Sequence, residues 1–350
     1  MKLSIIVPVY NMAGEGKLNF CLDSLVNQTI SDYEIIGVDD GSSDDSPTIL
    51  REYESRYPGK VKAVICGVNR HQGGAKNEGI RIASGEWLGF VDSDDWVTPD
   101  CYEKLLRKAE DTGADLVGCD YSLVSEHTFQ VGRVIPNNSP EQAGMLDEER
   151  HKSLILRPDS MVVKIYRASV VRENRLDFPE DIFYEDNCAA PVWSLYFRHF
   201  EKVEEPLYFY YQHDASTVHA VTEKKCRDRM RAMELFVEES RKRGFWEQYR
   251  EEIEIRFTEL FYMITLFSYM QGVGHPKLSF IRELRERTQE LFPHFDENRY
   301  YEELIGREER RLLSMQLRSD LRFYLYYRLQ IMVRRLRHRS RAELRRAQAG

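Results

Sequence analysis

The chain has no closely spaced cysteines: Cys21, Cys66, Cys101, Cys119, Cys188 and Cys226 are scattered, with no CxxC pair among them. That argues against a zinc knuckle and a dense disulfide framework, and most of the six sit inside apolar runs, as reduced core thiols do. Long hydrophobic runs are missing too. Phe261–Met270 extends for ten residues and still contains Thr265 and Ser268, well short of the roughly 18 to 20 apolar residues a membrane-spanning helix needs. The opening MKLSIIVPVYN has one lysine and a short apolar run cut by Pro8, too brief for a secretion signal. A cytoplasmic protein is expected, peripheral on the inner face of the membrane if it meets one. Internal repeats are absent, and low complexity is confined to an arginine-rich end.

At 350 residues, 42% apolar and 12% aromatic, the chain can bury a sizeable core, as two domains or as one with a large extension. Its charge is unevenly spread. The net charge is −8, but residues 321–346 carry nine arginines against one acid, Glu343, so that segment is +8 and the remainder −16. An acidic body with a basic tail points to an anionic surface as partner of the tail alone.

Leu3–Val9 is β-rich, and Leu18–Gln28 repeats apolar residues at helical spacing. Strand runs recur at Tyr33–Asp39, Val61–Cys66, Glu86–Val91 and Ala114–Tyr121, with helical stretches between them at Ser46-Pro47 onward, Gly73–Ser84 and after Pro99. This alternation predicts an α/β fold with a largely parallel sheet flanked by helices, whose ligands bind at the carboxyl ends of the strands. The acidic strings Asp39-Asp40 and Asp92-Ser93-Asp94-Asp95 both fall at such ends. Past residue 222 the pattern is helical, over Arg227–Lys242, Trp246–Gln271 and Leu278–Leu291.

Carboxylates at a strand end are the hard oxygen donors that Mg²⁺ or Mn²⁺ takes beside substrate phosphates. Alone, the Asp92–Asp95 string reads equally as an acidic turn before the helix at Pro99. It is not alone. SIIVPVYN (Ser4–Asn11), SLVNQT (Ser24–Thr29), VDDGSSDDS (Val38–Ser46), GGAKNEGI (Gly73–Ile80) and GEWLGFVDSDDW (Gly85–Trp96) resemble, in order and spacing, the successive signatures of family 2 glycosyltransferases. The resemblance implies a GT-A fold, a nucleotide-sugar donor, commonly a UDP-sugar, inversion at the anomeric carbon, and a divalent cation. It assigns the base pocket to the backbone near Pro8 and Val9, the ring of Tyr10 and the carboxylate of Asp40. Asp92 and Asp94 resemble the family's DxD pair, with Asp94 or Asp95 as the direct metal ligand. Lys76 stands where the family usually has arginine, so a bidentate diphosphate contact becomes a single ammonium contact.

On the acceptor side, Phe183-Tyr184-Glu185-Asp186-Asn187 resembles the family's ED motif. It implies Asp186 as catalytic base with Glu185 orienting or contacting the acceptor, and burial among Phe183, Tyr184 and Trp193 is expected to raise the Asp186 pKa. Glu180-Asp181 is the rival pair, and helix N-terminal acids are the plain reading of either. Tyr208–His219 resembles the segment that closes over the diphosphate, with Gln212 where arginine is frequent and His213, Ser216 and His219 as diphosphate or metal contacts, or simply solvated residues.

The organisation expected is a catalytic domain over 1–221, split into a nucleotide-sugar half (1–121) and an acceptor half (122–221), then a helical region over 222–350. Its last part, 312–346, alternates apolar residues with arginines like an interfacial helix for an anionic membrane surface; packing onto the acidic body is the alternative, and the body's charge argues against nucleic acid. A glycan or lipid-linked acceptor follows from this arm and from the family's habits. The competing functions are a nucleotidyltransferase, for which Asn11–Lys17 is a poor Gly-rich signature, and a degenerate binding subunit.

Overall fold

The computed structural model describes residues 1–212 and 221–333. The chain divides into two compact units, Met1–Ser216 with Leu235–Gly244 and Thr217–Glu234 with Phe245–Gly350.

In the first unit β1 (Leu3–Val9), α1 (Lys17–Val26), β2 (Tyr33–Asp39), α2 (Ser46–Arg56), β3 (Val61–Ile65), α3 (His71–Ile82) and β4 (Trp87–Phe90) alternate. Every residue of β1, β2 and β4 is buried, because helices cover both faces of a parallel sheet and the strands become continuous apolar runs. Then come β5 (Trp96–Val97), α4 (Cys101–Thr112), β6 (Leu116–Val124), β7 (Arg133–Ile135), β8 (Gly144–Met145), α5 (Glu148–Leu156), β9 (Lys164–Arg167), α6 (Ala168–Glu173), α7 (Asp186–Ser194) and β10 (His199–Tyr211).

The sheet runs β3-β2-β1-β4-β9-β6-β10-β5. Its first four strands are parallel, as are β6 and β10. β9 lies antiparallel between β4 and β6, and β5, β7 and β8 also pair antiparallel. The parallel nucleotide-side half thus continues into a mixed half, and the carboxyl ends of β1, β2 and β4 share one edge.

One buried acid ties β1, β2, β3 and the segment after α3 together. Glu34 on β2 pairs with Lys62 and accepts from Ser4 Oγ, Ser84 N–H and Ser84 Oγ, each at 2.7 Å. Burial pushes its carboxyl up, but the lysine and serine donors outweigh that and hold it down at about 2.

The second unit is helical, with the start of α8 (Glu223–Lys242), α9 (Arg250–Phe257), a π-helical turn over Thr258–Ile264, α10 (Thr265–Gly272), α11 (Leu278–Leu291), α12 (Tyr301–Leu304) and α13 (Arg307–Arg318). Residues 320–333 form a further helix, α14. The single helix expected over Trp246–Gln271 instead begins at Arg250 and passes through the π turn, where Thr265 Oγ1 reaches back five residues to the Leu260 carbonyl at 2.8 Å. The arm expected as one helix from Leu312 is broken at Ser319, which is extended (φ −165°, ψ 111°) and accepts the Arg322 N–H at 3.3 Å as the cap of α14. Among the described residues no helix is long and apolar enough to cross a membrane. They include all six cysteines, and none is in a disulfide.

Candidate active site

The loops leaving β1 and β2 are stitched together. Asn11 N–H donates to Ser42 Oγ and its side-chain oxygen accepts from Ser43 N–H, Met12 N–H donates to Ser46 Oγ, and Ala13 N–H donates to Asp44, all at 2.8–2.9 Å. Asn11 takes φ +53°, a region its short side chain tolerates, which turns the chain out of β1 just after Tyr10.

Asp40 follows β2, its N–H bonded to the Val9 carbonyl at 2.8 Å and its Oδ1 accepting from Arg70 N–H at 2.8 Å. Burial pushes its carboxyl up to about 6, against the pull of the Arg70 backbone and guanidinium. Pro8 and Val9 are buried in β1, while Tyr10 leaves it 47% exposed. Pro8, Val9, Tyr10 and Asp40 therefore share one strand-end corner.

The Asp92–Asp95 turn separates β4 from β5. Asp95 is buried and fully engaged: Tyr208 Oη–H donates to Oδ2 at 2.7 Å and Tyr211 N–H to Oδ1 at 2.8 Å. Asp94 is partly exposed. Asp92 Oδ1 accepts from Gln72 Nε2 at 3.0 Å. Burial pushes the Asp92 carboxyl up, Lys76 opposes this, and the charges of Asp94, Glu185 and Asp186 push it further up. The carboxylates of two distant segments therefore lie within electrostatic reach of each other at one edge of the sheet.

Lys76 sits between them. Its ammonium is 2.8 Å from Glu185 Oε1, the two side chains are 4% and 5% exposed, and it lies 5.1 Å from the Phe178 ring centroid. Burial pulls the lysine down, but Glu185 and Asp92 more than compensate and hold it above its usual value. The ammonium expected at the diphosphate is paired with Glu185. Gly73, one turn earlier, permits the approach: a Cβ there would lie 1.9 Å from the Pro179 carbonyl oxygen.

The burial expected for Asp186 falls on its neighbour. Asp186 is exposed as the first residue of α7, whereas Glu185 is buried. Successive positions of a helix turn by about 100°, so Asp186 faces outward beside buried Glu185, and the helix packs through Cys188, Ala189 and Val192. The rival Glu180 is bound by Arg70 at 3.1 Å and Asn77 at 2.9 Å, and Asp181 is exposed. His213, Ser216 and His219 lie outside the described residues.

Sequence reasoning missed Arg70, Gln72 and Tyr208. Gln72 and Lys76 stand four apart on one face of α3, where Gln72 donates to Asp92 and Lys76 to Glu185. Among the described residues no three His, Cys, Asp or Glu side chains form a metal cage on their own. If a hard cation such as Mg²⁺ or Mn²⁺ binds here, Asp94 and Asp92 are the carboxylates that would hold it, with substrate phosphates and water supplying the other oxygens.

A parallel half joined to a mixed half, with carboxylates gathered at the strand ends where the two meet, is the arrangement of a GT-A fold. The chain belongs to glycosyl transferase family 2: residues 4–172 match that family, and EpsH of Bacillus subtilis (strain 168) is 34% identical over 298 residues, 83% of this chain and 81% of that one. A poly(ribitol-phosphate) beta-glucosyltransferase of Bacillus spizizenii is 35% identical over 190 residues, 52% of this chain and 27% of that longer one. The fold resembles that of S. aureus TarS 1–349 in complex with UDP-GlcNAc, at TM-score 0.67 and 19% identity over 94% of this chain and 90% of that one. It is therefore a glycosyltransferase.

Proposed function

We propose that this enzyme moves a sugar from a UDP-sugar to a hydroxyl of a glycan or lipid-linked acceptor, with inversion, at the cytoplasmic face of a membrane. The observation that carries the reading is the convergence of Asp92, Glu185 and Asp186 around buried Lys76, with Asp94 beside Asp92, at the strand-end edge. The relatives that act on poly(ribitol-phosphate) support an acceptor of polyol or glycan type.

In this reading residues 1–121 hold the nucleotide and 122–221 the acceptor. Tyr10 stacks on the base and Asp40 accepts the uracil N3–H. Asp186 takes the proton of the acceptor hydroxyl, which attacks the anomeric carbon from the face opposite the nucleotide. Glu185, held by Lys76, fixes the start of α7 and thereby aims Asp186. A divalent cation at Asp94, when bound, neutralises the charge developing on the departing diphosphate. Asp95, spent on Tyr208 and Tyr211, shapes the turn that presents Asp94.

The direct test is a screen of purified nucleotide sugars read by nucleotide release. UDP release that depends on an added polyol-phosphate or glycan acceptor supports the reading; pyrophosphate release from a nucleoside triphosphate refutes it. Chelation by EDTA is expected to stop turnover, with Mn²⁺ or Mg²⁺ restoring it. Asp94→Asn is expected to lower kcat roughly 10²-fold or more, the size of losing one transition-state charge contact, and an Asp94→Asn enzyme that keeps its metal response would move the ligand elsewhere.

Asp40 gives a pH prediction. Its ionised form is much the stronger acceptor for the uracil N3–H, and burial pushes its carboxyl up to about 6. UDP affinity measured by calorimetry is expected to be constant above pH 7 and to fall as the pH drops through 6. Asp40→Asn should weaken binding and flatten that profile; an unchanged profile would remove Asp40 from base recognition.

A further inference from the structure

We propose that the exposed face of α14, made by Leu321, Leu325, Leu329 and Met332, docks this enzyme on an anionic lipid bilayer, with the helix lying in the plane of the interface. These side chains are 55%, 59%, 54% and 53% exposed. Their spacings of four, four and three residues place them, at about 100° per residue, within an arc of about 80°. Single exposed leucines are ordinary on a protein surface, but four in one stripe are not.

The opposite side of the same helix is spoken for. Phe323 and Tyr327 are buried, with ring centroids 6.5 and 5.5 Å from Phe267, and Tyr324 Oη–H donates to the Pro276 carbonyl at 2.9 Å. Asp320 in the first turn is held by Arg282 and Arg285. The helix is therefore pinned to its unit by one side and turns a second apolar side outward. This departs from the simple amphipathic arm expected over 312–346, because Leu312 and Leu313 are buried in α13 and do not join the stripe.

Charge selects the partner. Arg322 and Arg328 flank the stripe on its two sides, and the sequence that follows carries Arg334, Arg335, Arg337, Arg339, Arg341, Arg345 and Arg346 against the lone acid Glu343. A second copy of this chain is a poor cover, since a two-fold contact through α14 would bring like arginines together. Nucleic acid would attract the arginines and leave the leucines in water. A bilayer with anionic headgroups takes both, apolar side chains at the acyl boundary and guanidinium groups at the phosphates.

The surface does not depend on the sugar-transfer reading, and the test separates the two. Full-length protein is sedimented with vesicles of phosphatidylglycerol and phosphatidylethanolamine, and with phosphatidylcholine vesicles as control, while UDP release is assayed without lipid on a soluble acceptor. Wild type is expected to sediment with the anionic vesicles and not with the control. A variant carrying Leu321→Ser, Leu325→Ser, Leu329→Ser and Met332→Ser is expected to lose at least tenfold in partitioning while retaining its melting temperature and lipid-free activity. Leu325→Trp, which changes one exposed residue, is expected to show a blue-shifted emission on adding anionic vesicles. Wild type left in the supernatant, a serine variant that sediments like wild type, or an unshifted Leu325→Trp spectrum would overturn the proposal. So would a wild-type dimer that the serine variant dissociates while vesicle binding is unchanged.

Discussion

Asp186→Asn is expected to abolish sugar transfer while leaving UDP affinity intact. Asparagine keeps the size of the side chain and its place at the first position of α7, so the helix start is undisturbed, but an amide cannot accept the acceptor's proton. General-base catalysis contributes roughly 10²- to 10⁴-fold, and kcat is expected to fall by that factor. Nucleotide affinity should not follow, because the base corner of Pro8, Val9, Tyr10 and Asp40 is built from β1 and β2 and tied to Arg70. UDP release at saturating acceptor and calorimetry with UDP measure the two effects separately. Transfer within tenfold of wild type would remove Asp186 from the mechanism. The fallback would not be Glu180, whose oxygens are already taken by Arg70 and Asn77.

The nucleotide side of the fold was legible because its signals are local. Tyr33–Asp39 and Leu278–Leu291 have the same bounds in the sequence reading and in the structure, since a strand buried on both faces is an unbroken apolar run and a surface helix repeats on one face. The edge position of Asp40 and Asp92 followed from parallel topology. The mixed half was less legible. β9 is four residues long and β5 only two, and such strands exist because a neighbour offers a free edge, not because their own sequence alternates. The break at Ser319 is a capping event within a pattern that otherwise continues.

The site was legible in its residues and not in their division of labour. The sequence left Asp94 and Asp95 equivalent; what separates them is Tyr208, 113 positions away from Asp95. It placed Lys76 at the diphosphate, yet the ammonium pairs with Glu185 across 109 positions. Burial was expected for Asp186 because of its aromatic neighbours, but at a helix start one residue of rotation sends adjacent side chains in different directions, and Glu185 took the buried position. Contacts of this range carry no periodicity, so a pattern within a single segment cannot contain them.

Replacing Lys76 tests that division directly. Lys76→Met keeps the volume and removes the charge, stranding Glu185 in a site 5% exposed among Asp92, Asp94 and Asp186. Breaking one side of a buried pair destabilises by about 3–5 kcal/mol, so a large drop in melting temperature is expected, together with a loss of kcat as α7 loses its anchor. The double variant Lys76→Met with Glu185→Leu removes both charges, and an apolar pair of this kind is commonly neutral or stabilising. Its melting temperature is therefore expected to return to near wild type. Transfer is not expected to return, because Glu185 no longer fixes the start of the helix that carries Asp186. A double variant that is stable and also active would make the pair purely structural. A stable double variant without activity, with UDP affinity preserved, would identify Lys76 and Glu185 as positioning residues acting through Asp186. Lys76→Arg completes the series: a guanidinium can still pair with Glu185, but it is bulkier than the ammonium in a site already closed by Phe178, so stability should hold better than in Lys76→Met while kcat falls by an intermediate amount.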